Sequence, residues 1–306
     1  MFRITDDEVC PCGSTRNAGT CCLRTRDIRQ QDGTLLKGRT IETAQSETGN
    51  PIAVTGICVP GCYAACLSDC GGEIEGEHYI SHEMLQLLAG EGAVLTVTGV
   101  DPKRPEVGRT VAPKRLVAPI LCARHNRALK GIDTAGNRFF LAMSTLEKTL
   151  QGSVGARNVV AFNGHDLERW CLKALSGLLA RSGRTVPDLW IRILFNRGSF
   201  LPPRGLYVYS SLGERSDGKD IGLQELRGVN DVVTGVVVRL LNAEFVLSMH
   251  PTMAMMAEAL HPGKRQTYRP QYFQLTNGAN GSASIFWFSW QDARHHQGIE
   301  LDWFAT

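Results

Sequence analysis

Cys66-Leu67-Ser68-Asp69-Cys70-Gly71-Gly72 is a two-cysteine knuckle closed by glycine, answered much later in the chain by Cys122-Ala123-Arg124-His125. Glycine permits the tight turn that lets backbone amides approach thiolate sulfur. Joined, the halves give a four-ligand set of Cys66, Cys70, Cys122 and His125, the number a tetrahedral zinc ion takes. Such an ion fastens two distant pieces of chain. Cys58 and Cys62 compete for the first position, and Cys62 stands nearly equal to Cys66. Between the halves lies Glu77-His78-Tyr79-Ile80-Ser81, a carboxylate and a histidine beside a metal knuckle.

Nine of the ten cysteines lie in the first 122 residues, so the N-terminal half carries the readable chemistry. With 306 residues, 43% hydrophobic and 21% charged, the chain can bury cores for two domains. A net charge of +3 permits nucleic-acid binding without demanding it. Any basic surface is therefore local. Lys103, Arg104, Lys114, Arg115, Arg124 and Arg127 crowd around the second cysteine set and are the candidate nucleic-acid contacts. The acidic N-terminus lacks an apolar segment and no run of eighteen apolar residues occurs, so no membrane partner is expected. Many thiols without a leader point to a reducing, cytoplasmic setting where cysteines bind metal or sit in cores.

The chain divides by pattern into a short metal module (1–29), a glycine-rich polar linker (30–51), a block holding the second cysteine set (52–155) and a C-terminal domain (156–306). Within the block, Glu83 to Leu88 reads as helix, Ala93 to Val100 as strand, Asp101 to Pro113 as loop, and Val117 to Cys122 as the lead into a turn. Helix resumes from His125. Apolar residues at helical spacing follow a cap at Asp166, and the exposed face is expected at Asp166, Glu168, Arg169 and Lys173. Strands are expected at Leu206–Tyr209, Val233–Leu241, Glu244–Met249 and Ser284–Trp290, with a hairpin turn at Asn242-Ala243. That makes the C-terminal domain α+β. His295-His296 reads as an exposed loop and the Phe286–Trp290 run as a buried strand.

Cys10-Pro11-Cys12-Gly13-Ser14 and the later Cys21-Cys22 place four thiolates within a segment too short for its own core. Cys10, Cys12, Cys21 and Cys22 close a tetrahedral zinc site. This run resembles the SEC-C zinc-binding motif, which implies either a folding staple or a docking tag for a partner protein.

The second set, with Glu77-His78 after one knuckle and His125-Asn126 closing the other, resembles the HNH endonuclease family in its zinc-braced form. The resemblance implies an α+β chain built on a ββα-metal, treble-clef-like core, with zinc as brace and one catalytic Mg²⁺ or Mn²⁺. It implies His78 as the general base that activates water, Glu77 as an acidic ligand of the catalytic ion and Asn126 as the ligand at the helix start. Zinc would then occupy two structural sites. The substrate implied is a phosphodiester polymer, DNA before RNA, and phage defence or a mobile element is the setting that suits it.

The chemistry stands on its own terms. Phosphodiester hydrolysis needs an activated water and charge neutralisation at phosphate, which a neutral histidine and a hard divalent ion supply. Where the family carries its middle asparagine this chain reads Leu116 to Leu121, so either the backbone orients the histidine or the site is degenerate. His82 is a weaker candidate and reads as a solvated helix start. The rival reading is a non-catalytic adaptor whose zinc sites scaffold a surface for protein or nucleic acid.

Overall fold

The computed structural model of the chain describes residues 54–90, 94–97, 109–152, 154–209, 221–240, 243–250, 266–290 and 298–302. Cys10, Cys12, Cys21, Cys22, Lys103, Arg104 and His295-His296 lie outside the described residues. The first half runs β1 (Ile74–Glu77), α1 (His82–Ala89), β2 (Leu95–Val97), β3 (Arg109–Val111), β4 (Ala118–Cys122), α2 (Ala123–Ala128), α3 (Lys130–Ser144) and α4 (Leu146–Leu150). There follow β5 (Arg157–Asn163), α5 (Gly164–Arg181), α6 (Asp188–Leu194), β6 (Gly205–Tyr209), β7 (Ile221–Arg227), β8 (Val233–Leu240), β9 (Ala243–Ser248), β10 (Gln266–Tyr268), β11 (Tyr272–Asn277), β12 (Ser282–Ser289) and β13 (Gly298–Asp302). The protein is mixed α+β, as its sequence implies.

Two compact units emerge. One takes the described residues of 48–137 and 169–199, the other those of 138–168 and 200–306. The division does not follow a boundary at 155/156; it falls inside α3 and α5.

In the cysteine-bearing unit, β1 pairs antiparallel with β4 and α2 follows β4 directly. The stretch read as a lead into a turn is thus a strand. Its Ala118 and Ile120 are buried while Pro119 between them is exposed, the alternation of a two-stranded ribbon, where an edge can carry proline. A register shift between Glu75 and Gly76 marks a bulge in β1. Its side-chain phase therefore changes: Glu75 is exposed and Glu77 buried, although regular alternation would put both on one face. Helix α1 is started by Ser81, whose hydroxyl accepts the Met84 N–H at 3.4 Å. Helix α5 lays Trp170 over Gly136 and Gly177 against Tyr79; a β-carbon on either glycine would come within 2.3 Å of the ring or side chain it faces.

The other unit holds two sheets. The first is antiparallel in the order β10-β6-β9-β8-β7. The β8 and β9 runs expected as strands pair as neighbours, and all six residues of β9 are buried. The second sheet, β13-β11-β12-β5, joins one antiparallel pair to two parallel ones. Its core is aromatic: Phe139 meets Phe162 and Phe245 edge to face with ring centres 5.1 and 5.3 Å apart, and Phe286 and Phe288 close the nest. Phe286, Trp287, Phe288 and Trp290 are buried, as their alternation suggests.

The expectation of a solvated charged face on α5 is corrected. Asp166, Glu168 and Lys173 are buried. Buried charge persists only with partners, and Glu168 has them. It accepts the Leu206 N–H at 2.8 Å, takes Arg269 at 2.8 and 3.1 Å, and meets His165 Nδ1 at 2.9 Å. Among the described residues no helix is long and apolar enough to cross a membrane.

Gly235 in β8 lies so close to β9 that a β-carbon would stand 2.2 Å from the Leu247 carbonyl oxygen. Gly235→Ala should therefore destabilise the sheet by about 1–3 kcal/mol, read as a lowered urea midpoint at unchanged m.

Candidate metal centre and the His78 site

Cys62, Cys70, Cys122 and His125 are all buried, and their ligand atoms lie within 4.8 Å of one another. The local fold explains the convergence. Tyr63 N–H donates to the Ile120 carbonyl at 3.0 Å, and Arg124 N–H to the Gly71 carbonyl at 3.0 Å, so the first knuckle is laced to β4 and its helix. Gly72 has φ +74°, and a β-carbon there would meet Ala123 at 2.7 Å. Only glycine lets the knuckles approach this closely.

His125 turns Nδ1 toward three sulfurs, at 3.2 Å from Cys122, 3.4 Å from Cys62 and 3.8 Å from Cys70. Its Nε2 lies 2.6 Å from Asp69 Oδ1, and Asp69 in turn takes Arg197 Nη2 at 2.5 Å. Donation of Nε2–H to Asp69 leaves the Nδ1 lone pair for a metal, the usual outer arrangement of a ligating histidine. Burial holds this imidazole below its ordinary value although Asp69 opposes the shift. Burial also pushes the Cys62 thiol up to about 12. Cys122 ends below its ordinary value because the Gly71 and His125 amides and the neighbouring thiols outweigh its own burial. Three sulfurs and one neutral nitrogen can hold a metal ion such as zinc.

Cys62 takes the place that local spacing gave to Cys66. Cys66 lies inside a one-turn 3-10 helix, Ala65–Leu67, that begins after Cys62 and keeps Cys66 out of the ligand cluster. It is half-exposed, and burial first, then the Asp188 carboxylate, raise its thiol to about 11. Cys58 is exposed and donates to the Ala65 carbonyl at 3.3 Å.

His78 follows β1 immediately. It is half-buried, and its Nε2 is shielded and without a partner among the described residues. The Pro113 carbonyl hydrogen-bonds the ring, a contact that falls to Nδ1 because Nε2 has none. A backbone carbonyl thus holds the ring where the chain has no asparagine to do so. Burial, with His82 and Lys173 adding to it, holds His78 below 6.5 against the Pro113 contact. Pro113 opens the 3-10 turn Pro113–Arg115, whose Lys114 and Arg115 are exposed. Arg127 is exposed and bonds the Ala123 carbonyl, while Arg124 is half-buried.

Glu77 and Asn126 are not brought together. The bulge turns Glu77 inward, where its Oε1 lies 2.5 Å from Lys173 Nζ, off the direction of a true hydrogen bond. The same ammonium takes Asp133 at 2.6 Å and the His78 carbonyl at 2.8 Å. Burial raises both carboxyls while Lys173 pulls them down. Asn126 instead donates to exposed Glu75 at 3.1 Å. The residues expected to hold a hard divalent ion are thus engaged elsewhere and do not fit it.

Lys173 and Asp69 are the residues sequence reasoning missed. Lys173 falls at helical spacing with Trp170, Ala174 and Gly177 on the buried stripe of α5, which was its one signal. Asp69 sits inside the knuckle, directly before Cys70. His82 stands beside His78, with ring centres 4.8 Å apart, and its buried Nδ1 corrects the reading of a solvated helix start. Compared with protein-family models, curated proteins and solved structures, the chain matches none.

Cys62→Ser should remove one metal ion per chain in native mass spectrometry, while Cys66→Ser should retain it. Asp69→Asn should weaken that ion's affinity about 10–100-fold, measured by competition with a chromophoric chelator.

Proposed function

We propose that the protein hydrolyses phosphodiester bonds in nucleic acid, DNA before RNA, with His78 as proton acceptor and the Cys62–Cys70–Cys122–His125 cage holding zinc as a brace. One observation carries this reading. A neutral imidazole with an uncommitted Nε2 is hydrogen-bonded to the turn that exposes Lys114 and Arg115.

The residues divide the work as follows. The cage fixes β4 against the first knuckle, β4 fixes β1 by pairing, and β1 delivers His78. Pro113 sets the tautomer, so Nε2 presents a lone pair to the water that attacks phosphorus. Lys114 and Arg115 offset the phosphate charge. Nε2 is shielded in this state, so substrate entry requires the side chains around it to yield. Lys173 holds the His78 carbonyl and keeps the strand exit in place. Mg²⁺ and Mn²⁺ have no part in this scheme, because Glu77 and Asn126 have other partners.

The same engagement of Glu77 and Asn126 favours a second reading, an adaptor whose zinc centre scaffolds a binding surface.

Purified protein incubated with plasmid, single-stranded DNA and RNA, with and without Mg²⁺ or Mn²⁺, separates the two. Hydrolysis should fall about 100-fold or more in His78→Ala at unchanged zinc content and circular dichroism. Absence of cutting by folded, zinc-loaded protein would instead favour the adaptor. A base must be unprotonated to act, and burial holds His78 below the ordinary histidine value, so the rate should rise with pH to a plateau whose midpoint lies below that of a free histidine.

A further inference from the structure

We infer that His78 Nε2 and His82 Nδ1 together form a second site, distinct from the cysteine cage, for a divalent ion that prefers nitrogen donors, of the class of Zn²⁺, Co²⁺ or Ni²⁺. Both atoms are buried side-chain nitrogens without a hydrogen-bond partner among the described residues. Neither donates to the other, although the rings are neighbours. A buried ring nitrogen left bare is costly, and two bare nitrogens on adjacent rings call for one shared partner.

The spacing suits an ion. At metal–nitrogen bonds of about 2.0–2.1 Å, two imidazoles on one ion hold their ring centres roughly 5 Å apart. Here the centres are 4.8 Å apart with the rings tilted at 50°. Each ligand is also held from behind. The Pro113 carbonyl bonds the other side of the His78 ring, fixing which nitrogen is free. His82 opens α1 directly after the Ser81 cap, and Ser81 is itself tied to Asn137, which donates to Glu83 at 2.6 Å. Lys173 is the cation close to His78, and its charge is offset by Glu77 and Asp133.

Donor chemistry selects the ion. Imidazole nitrogen suits zinc and its late first-row neighbours, whereas Mg²⁺ and Ca²⁺ demand oxygen. Metal binding needs no phosphodiester chemistry; its consequence for cleavage rests on the reading of His78 given above. An ion on Nε2 occupies the lone pair that the attacking water's proton needs, so the site is a reversible off-switch.

The test titrates zinc-loaded full-length protein with Co²⁺, followed by calorimetry and visible absorption. Wild type should take up one more Co²⁺ than His82→Ala, with ligand-field bands that lack thiolate charge transfer. The residual affinity of the variant should be weaker by about tenfold or more. His82→Gln provides the same comparison if the alanine variant loses structure or zinc. Equal Co²⁺ uptake by wild type and a folded His82 variant, or uptake showing thiolate bands, overturns the site whether or not the protein cuts nucleic acid. Where cutting occurs, Co²⁺ should halve each protein's own rate at a concentration about tenfold or more higher in the variant.

Discussion

Three sulfurs and an imidazole nitrogen gathered within 4.8 Å are the constraint from which the cysteine-bearing unit is built. Short elements surround them: β1 has four residues, β4 five and α2 six. Pieces of that length bury too little apolar surface to hold one another, and an isolated two-stranded ribbon is marginal in water. Four ligands from two remote segments supply what the ribbon lacks. Asp69 and Arg197 extend the same constraint outward: the carboxylate holds the imidazole, and the guanidinium holds the carboxylate and the Leu67 carbonyl.

The second organising interaction is electrostatic. Lys173 brings one positive charge to Glu77 and Asp133, so the pocket holds a surplus carboxylate, with the Tyr63 hydroxyl buried beside it. Burial raises both carboxyls against the downward pull of Lys173. A lysine in this position bridges the two carboxylates but, unlike a divalent ion, offsets only one of their charges. The inward acid therefore contributes to the fold, and the chemistry near it is left to imidazole.

Much of this was legible in the chain. Cysteine spacing located three of the four cage ligands, and runs such as Val236-Val237-Val238 and Phe286-Trp287-Phe288 announced their strands through β-branched and aromatic content. The failures have physical causes. Cys62 and Cys66 are set apart by a single 3-10 turn, which spacing does not encode. Lys173 finds its carboxylates on elements remote in sequence, so nothing local marks it as buried. The pairing of β5 with β12 is parallel and distant, set by packing around Phe139 rather than by any neighbouring turn.

The bulge in β1 gives the neighbourhood of His78 a reading frame. Glu75 and Glu77 are chemically the same residue two positions apart, yet one meets water and Asn126 while the other meets Lys173. One residue gained or lost in β1 before Gly76 would exchange those assignments without removing any metal ligand or the histidine itself. Chains that share every ligand of this centre but differ in that count would thus set a different carboxylate against Lys173, and an alignment free to gap there would hide the difference.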